Sequence, residues 1–340
     1  MSKDAHETEP GGTRPRFEEL DVSDPAWFDV AAEYASTPEG SAHLIERAAE
    51  AASIGDDVTA VRLRTALLRG ETRRAEDDEA ARRGAARRPR SLGHEEIARV
   101  AAEFGAAAEQ VLRDHAISHV LGALADLDAA DDLVFFGGTA LSRTFLPTLR
   151  LSEDIDLLVR GRRSDIGGHI ERAVAHGLRR THGEVTWAPR PGDTRGSEAA
   201  VLRIGERIHI RVQLLAADRY PAWPTDRRSL IQRYADAPSA TLTTLTAAAF
   251  AAAKTVAWAD RHAARDLYDL WALGEHGYLD AEAADLFARL GPTGHPPASW
   301  MFDRSPEPGA WQAALGHQGL VRVSAQEAIA AVRDHWQRAR

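Results

Sequence analysis

The segment 135–159, FFGGTALSRTFLPTLRLSEDIDLLV, narrows the architectures open to this chain more than any other. An apolar run ends at Gly137-Gly138, a short amphipathic stretch is stopped by Pro147, and a second apolar run opens on Asp154-Ile155-Asp156. The pattern predicts a strand over 131–136, a short helix over 139–146 and a strand over 155–159. Side chains two apart on a strand share a face, so Asp154 and Asp156 project together. Ile155, Leu157, Leu158 and Val159 surround them with apolar surface. Two adjacent carboxylates repel unless a cation sits between them, and an unpaired one in apolar surroundings is costly. Hard cations such as Mg²⁺ take one or two carboxylates plus substrate phosphates. The glycine pair supplies the other half, because helix-start amides bind phosphate and glycine lets it approach. Alone, a glycine pair is commonly a turn and a D-x-D pair a solvated strand end. In this order they describe a nucleotide–metal site for phosphoryl or nucleotidyl transfer.

Around this segment the chain reads as an α+β fold. Residues 1–20 are polar, with Gly11, Gly12 and Pro15, and are expected to be disordered. Residues 21–90 form an N-terminal helical region and charged linker, with amphipathic helices at 41–52 and 58–68. The stretch 71–90 ends in Arg82, Arg83, Arg87, Arg88 and Arg90 and reads as a solvated linker or helix face. A nucleic-acid-binding arm is its alternative. Residues 91–238 make the mixed core. Helices are expected at 94–124 and 164–180, and strands at 185–188, 200–204 and 207–215, the last alternating cleanly as RIHIRVQLL. Residues 239–340 are expected to be a C-terminal helical domain: helix over 241–276 from a threonine-rich cap, loop over 291–309, and a closing helix over 324–340.

Composition excludes several classes. There are no cysteines, which removes disulfides and thiolate metal sites and fits a reducing compartment. No apolar run approaches the roughly 18 residues of a membrane span, and the polar N-terminus lacks a signal peptide's apolar stretch. A cytoplasmic protein with no membrane association is the expectation. The net charge of −9 disfavours a surface that coats nucleic acid but leaves a local basic face open. Arg143, Arg150, Arg160, Arg162 and Arg163 crowd the segment and would draw an anionic acceptor such as an RNA end, with Arg219, Arg227, Arg228 and Arg233 extending the patch. An ordinary salt-bridged surface is the alternative. The histidines show no HExxH motif and no cluster with acidic partners, so His209 and His262 are expected to be structural or exposed.

FFGGTALSR followed by RLSEDIDLLV resembles the signature of the AbiEii/AbiGii-type nucleotidyltransferases, toxin halves of bacterial toxin–antitoxin and abortive-infection (phage defence) pairs. These belong to the wider DNA polymerase β-like nucleotidyltransferase superfamily. RDHAISHVLGAL resembles the helix that precedes the motif, and FAAAKTVAWADRHAARDLYDLWAL, residues 250–273, resembles the downstream Lys…Arg-Asp-x-Tyr-Asp-Leu motif. The resemblance spans about 108–276. It implies a mixed sheet with helices, Mg²⁺-dependent transfer of a nucleoside monophosphate from an NTP, tRNA as a frequent acceptor, and a cognate antitoxin. Position by position, Gly137, Gly138 and Thr139 would hold the triphosphate and Asp154 and Asp156 the Mg²⁺. Lys254 would neutralise phosphate charge, and Asp269, or else Asp266, would be the downstream acid. Ser152 falls where related toxins carry a serine near the nucleotide, its hydroxyl capping the turn or itself modified as a control.

One departure stands out. The superfamily places a third carboxylate on a later strand, and the matching position here is Gln213. Glutamine coordinates Mg²⁺ poorly and cannot act as a base. Either Asp269 supplies the missing acid, or two carboxylates suffice, or the enzyme is weakened, the last leaving a catalytically impaired binding module of the same fold as an alternative. A separate alternative keeps the site and transfers NMP to a protein hydroxyl.

Helical spacing tests the downstream motif. Offsets of 4, 7, 11 and 15 from Lys254 fall on one face and reach Trp258, Arg261, Arg265 and Asp269. Asp266 lies about 120° away, which favours Asp269 as the partner. A continuous helix would set Lys254 and Asp269 roughly 22 Å apart, too far to share one ion. The helix therefore breaks near His262-Ala263, or the two residues serve opposite ends of the substrate. The plainer alternatives are a snorkelling surface lysine and an Asp269–Arg265 ion pair. Trp258, Tyr268 and Trp271 read as core.

Overall fold

The four apolar residues of β1 (Leu133–Phe136) and the run of β2 (Asp154–Val159) pair antiparallel, and this hairpin-like unit is the centre of the fold. A computed structural model describes residues 25–84 and 92–339. The expected tail 1–20, and Arg87, Arg88 and Arg90, fall on or overlap residues outside that range. The chain divides into two compact units, Met1–Arg74 and Ala75–Arg340.

In the first unit, α1 (Pro25–Ala35), α2 (Pro38–Ser53) and the start of α3 (Asp57–Gly84) gather a small core. Trp27, Leu44, Leu63 and a set of alanines fill it, the small side chains allowing close approach. Thr37 caps α2 by accepting from the Gly40 amide. The stretch 71–84 continues α3 as helix.

The second unit is a seven-stranded mixed sheet with helices, as the α+β reading expects. Its elements in chain order are α4 (His94–Phe104), α5 (Ala108–Ala125), β1, α6 (Gly137–Ser142), β2, α7 (Arg163–Leu178), β3 (Val185–Trp187), β4 (Ala199–Ile204), β5 (Ile208–Ala216), β6 (Thr225–Ser229), β7 (Thr241–Leu245), α8 (Ala247–Arg261), α9 (Ala264–Glu275), α10 (Ala281–Leu290), α11 (Pro308–Leu315) and α12 (Ala325–Arg338). Strand order is β3-β4-β5-β2-β1-β7-β6. β2 runs parallel to β5 and antiparallel to β1, and β7 runs parallel to β1. α5 and α7 pack on each other and on β5, while α8 to α12 form a helical cluster joined to the sheet by the β7–α8 turn. No helix among the described residues is long and apolar enough to cross a membrane.

Two elements differ from the sequence reading. Residues 241–245, TLTTL, are not the head of a helix but a strand beside β1, and only Thr246 caps α8, accepting from the Ala249 amide. Threonine fits a pleated surface well, and here packing on β1 outweighs its capping role. β6, TDRRS, is an edge strand whose exposed charges hide any alternation.

Candidate active site

Asp154 and Asp156 stand on one face of β2 at its entry, as strand geometry requires. The parallel register sets Asp154 beside Arg211 and Asp156 beside Gln213 on β5. Gln213, where a third carboxylate was expected, therefore adjoins Asp156, and its amide nitrogen donates to the Ser197 carbonyl. The Asp154 side chain is 42% exposed, with Arg211 Nε 3.8 Å from its Oδ1. Burial raises Asp154 above the usual carboxylate range despite Arg211. Burial first, then the Asp154 charge, pushes Asp156 up to about 6. Such a pair favours a cation between its oxygens.

The glycine pair packs against these acids more tightly than the sequence suggests. Gly137 has φ +79°, and a Cβ there would lie 2.2 Å from Asp156 Oδ2. A Cβ on Gly138 would lie 2.7 Å from Arg150 Nη2. Both glycines thus make room for a neighbouring charged group. Thr139 donates its hydroxyl to the Asp154 carbonyl, tying the start of α6 to β2.

The opposite wall comes from α8 and α9. α8 ends at His262, whose φ of 49° puts it in the left-handed region, and α9 begins at Ala264. This is the break near His262-Ala263. It folds Lys254 back against the downstream acids: Nζ lies 3.0 Å from Asp266 Oδ1 and 2.7 Å from Asp269 Oδ2. Arg150 grips Asp269 with two parallel bonds of 2.9 Å from Nε and Nη2, and donates through Nη1 to Gln318 (3.0 Å) and Ser152 (3.4 Å). Arg261 grips Asp266 at 2.7 and 3.0 Å. Three cations face two carboxylates, so this wall is net positive.

The charges act as that geometry dictates. Burial would raise Asp266, but Lys254 and Arg261 outweigh it and hold the carboxyl down at about 2. Asp269 is held low in the same way by Arg150 and Lys254. Burial would lower Lys254, but Asp269 and Asp266 keep it raised and charged.

Between the walls lies a cleft of about 260 Å³, bounded by Gly138, Thr139, Ser152, Asp154, Asp156 and Lys254, with Gln213, Arg261, Arg265 and Asp266 also on it. Asp269 does not reach it; this residue, 1% exposed, serves as the counter-charge that fixes Arg150 and Lys254. The helical wheel favours Asp269 because it assumes an unbroken helix. Ser152 lines the cleft, 3% exposed, with its carbonyl accepting from Gln110 Nε2. Gln318, far along the chain, is a wall residue that carried no sequence signal.

The expected arginine patch assembles only in part, with Arg150 alone of its members on the cleft. Arg143 is fully buried, 2.9 Å from Asp114. Arg233 is also buried, donating to the Ser142 and Pro147 carbonyls. Arg160, Arg162 and Arg163 follow the other end of β2, about 20 Å from Asp154 at the rise of a strand. Arg227 pairs with Asp131. The cations of the cleft are Arg150, Lys254, Arg261 and Arg265, of which only Arg150 belongs to the expected patch. Trp258, Tyr268 and Trp271 are core residues, at most 2% exposed. His209 and His262 are exposed. The histidines do cluster elsewhere, contrary to the sequence reading: His115, His119 and His182 converge beside Asp236.

Comparison with known proteins agrees with this architecture. A family model described as nucleotidyl transferase AbiEii toxin, type IV toxin–antitoxin system, matches residues 119–340. Among solved structures, MenT4, a nucleotidyltransferase toxin from Mycobacterium tuberculosis H37Rv, is similar with a TM-score of 0.55 and 21% identity, covering 72% of this chain and 89% of its own. At that identity the likeness is one of fold. No curated protein matches the chain.

Proposed function

The chain belongs to the AbiEii family of nucleotidyltransferase toxins of type IV toxin–antitoxin systems, and from that premise we propose that it transfers a nucleoside monophosphate from an NTP to the 3′ end of a tRNA, with Mg²⁺. The observation that carries this reading is the pairing of Asp154 and Asp156 on one face, opposite Lys254, Arg261 and Arg265 across one cleft.

The donor set fits a hard divalent cation. Two oxygen donors sit together, each raised by burial, and Asp156 raised further by its neighbour, so a cation there would relieve both costs. Asp154 and Asp156 would hold it, and when bound it would offset charge at the α-phosphate.

The other roles fall to the chain's own groups. Arg265 and the partly satisfied Arg261 and Lys254 would bind and orient the triphosphate. Gly138 and Thr139 border the cleft at the start of α6 and would let a phosphate lie against the backbone. The Arg150–Asp269 pair would hold Lys254 at a fixed height above the two aspartates. Gln213 accepts no proton, so this reading assigns no protein base to the attacking hydroxyl. A cognate antitoxin would restrain the activity, and the setting would be the bacterial cytoplasm, in phage defence.

Incubation with each labelled NTP, Mg²⁺ and total tRNA tests the reading. Label should enter RNA with the wild type and not with an Asp154→Ala/Asp156→Ala double variant. Equal labelling by both proteins, or none by the wild type with any NTP, would overturn it. Label that survives RNase would move the acceptor to protein.

A further inference from the structure

Three imidazoles and one carboxylate meet away from the cleft, and none of the four lines it. His115 and His119 are one turn apart on α5, both about 5% exposed. His182 follows the end of α7, its amide bonded to the Leu178 carbonyl. Asp236 lies between β6 and β7, and its side chain is 1% exposed. Three distant stretches of chain therefore deliver one donor set.

The spacing is that of a coordination polyhedron. His115 Nε2 and His119 Nε2 are 3.2 Å apart. Asp236 Oδ1 and Oδ2 are 3.0 and 3.1 Å from His115 Nε2, and Oδ2 is 3.4 Å from His119 Nε2. The edge of a tetrahedron with metal–nitrogen bonds of zinc length is about 3.3–3.4 Å. The three rings form a near-equilateral triangle, with centroids 4.7, 4.9 and 5.0 Å apart. One ring nitrogen from each lies within 4.8 Å of the others. A hydrogen-bond network accounts for His115 with Asp236, but at most one proton fits between the two facing Nε2 atoms. It gives no reason for a third ring to join them.

The surroundings suit a ligand set. His182 Nδ1 pairs with Thr181 Oγ1 at 2.8 Å, which fixes the ring and leaves Nε2 for an ion. His182 is half-buried within an exposed turn and can close the remaining distance.

We propose that His115, His119, His182 and Asp236 form a closed site for a divalent transition-metal ion, Zn²⁺ by its donor set and tetrahedral spacing. Four protein donors leave no open position, so the ion is structural. It clamps α5, the end of α7 and the β6–β7 connection together.

Metal-stripped full-length protein, titrated with Co²⁺ and then Zn²⁺, tests this. The wild type should develop the strong visible absorption of tetrahedral cobalt at one equivalent and lose it to Zn²⁺. An Asp154→Asn/Asp156→Asn variant should keep the band, which separates this site from the cleft. His182→Ala, a change near the surface, should weaken Zn²⁺ at least about 100-fold and abolish the rise in Tm that Zn²⁺ gives the wild type. A wild type without the band, or a His182→Ala variant that binds Zn²⁺ as tightly, would overturn the proposal.

Discussion

Lys254 Nζ lies 2.7 Å from Asp269 Oδ2, although the two belong to different helices. The left-handed turn at His262 makes this contact and leaves neither group a free catalytic acid or base. Asp269→Asn would leave Arg150 and Lys254 buried without their shared counter-charge. Loss of one partner of such a network costs about 3–5 kcal/mol. Denaturant unfolding of the variant should show that loss, and an unchanged midpoint would refute the assignment of Asp269 as a structural anchor.

Arg265 should behave differently. It is exposed on the cleft, where its charge acts on Asp154. A charge-assisted bond to phosphate is worth about 1.5–3 kcal/mol. Arg265→Ala should therefore raise KM for the NTP about 10- to 100-fold and leave Tm unchanged. Steady-state kinetics beside a thermal melt decide it, and an unaltered KM removes Arg265 from the binding wall.

Gly137→Ala is expected to be severe. The left-handed backbone costs a non-glycine residue about 1–2 kcal/mol. The new methyl would also overlap Asp156 Oδ2. Transfer activity should fall below detection while circular dichroism retains the native spectrum. Wild-type activity in this variant would show that Asp156 can shift freely, contrary to the packing.

Asp156 predicts a pH dependence. Its folded value of about 6 lies above the ordinary 3.8. A carboxyl raised in the folded state favours protonation, so its contribution is best below 3.8 and is lost as pH climbs through about 6. Metal-free wild type should lose stability against Asp156→Asn across that window, by at most about 3 kcal/mol. Divalent affinity should rise over the same range, because cation and proton compete. A difference that stays constant with pH would contradict this.

The central strands and the two aspartates were legible because apolar runs and a period of two carry directly into β1, β2 and β5. The family and the α+β fold followed from the motifs on those strands. β7 was not legible, since TLTTL before an alanine run also reads as a helix cap. Nor was the direction of the arginines, which depends on which end of β2 each one follows. The histidine cluster left one local trace, His115 and His119 at helical spacing, while His182 and Asp236 join them only through the packing of α5, α7 and the β6–β7 connection.

The α8–α9 corner also bears on how the fold can be divided. A fragment ending after β7 would retain both aspartates on their strand and forfeit Lys254, Arg261 and Arg265 together. The sheet by itself is half an enzyme, because any engineered or natural truncation at that seam keeps the carboxylate pair and Arg150 but removes the far wall and takes from Arg150 the Asp269 that holds it in place.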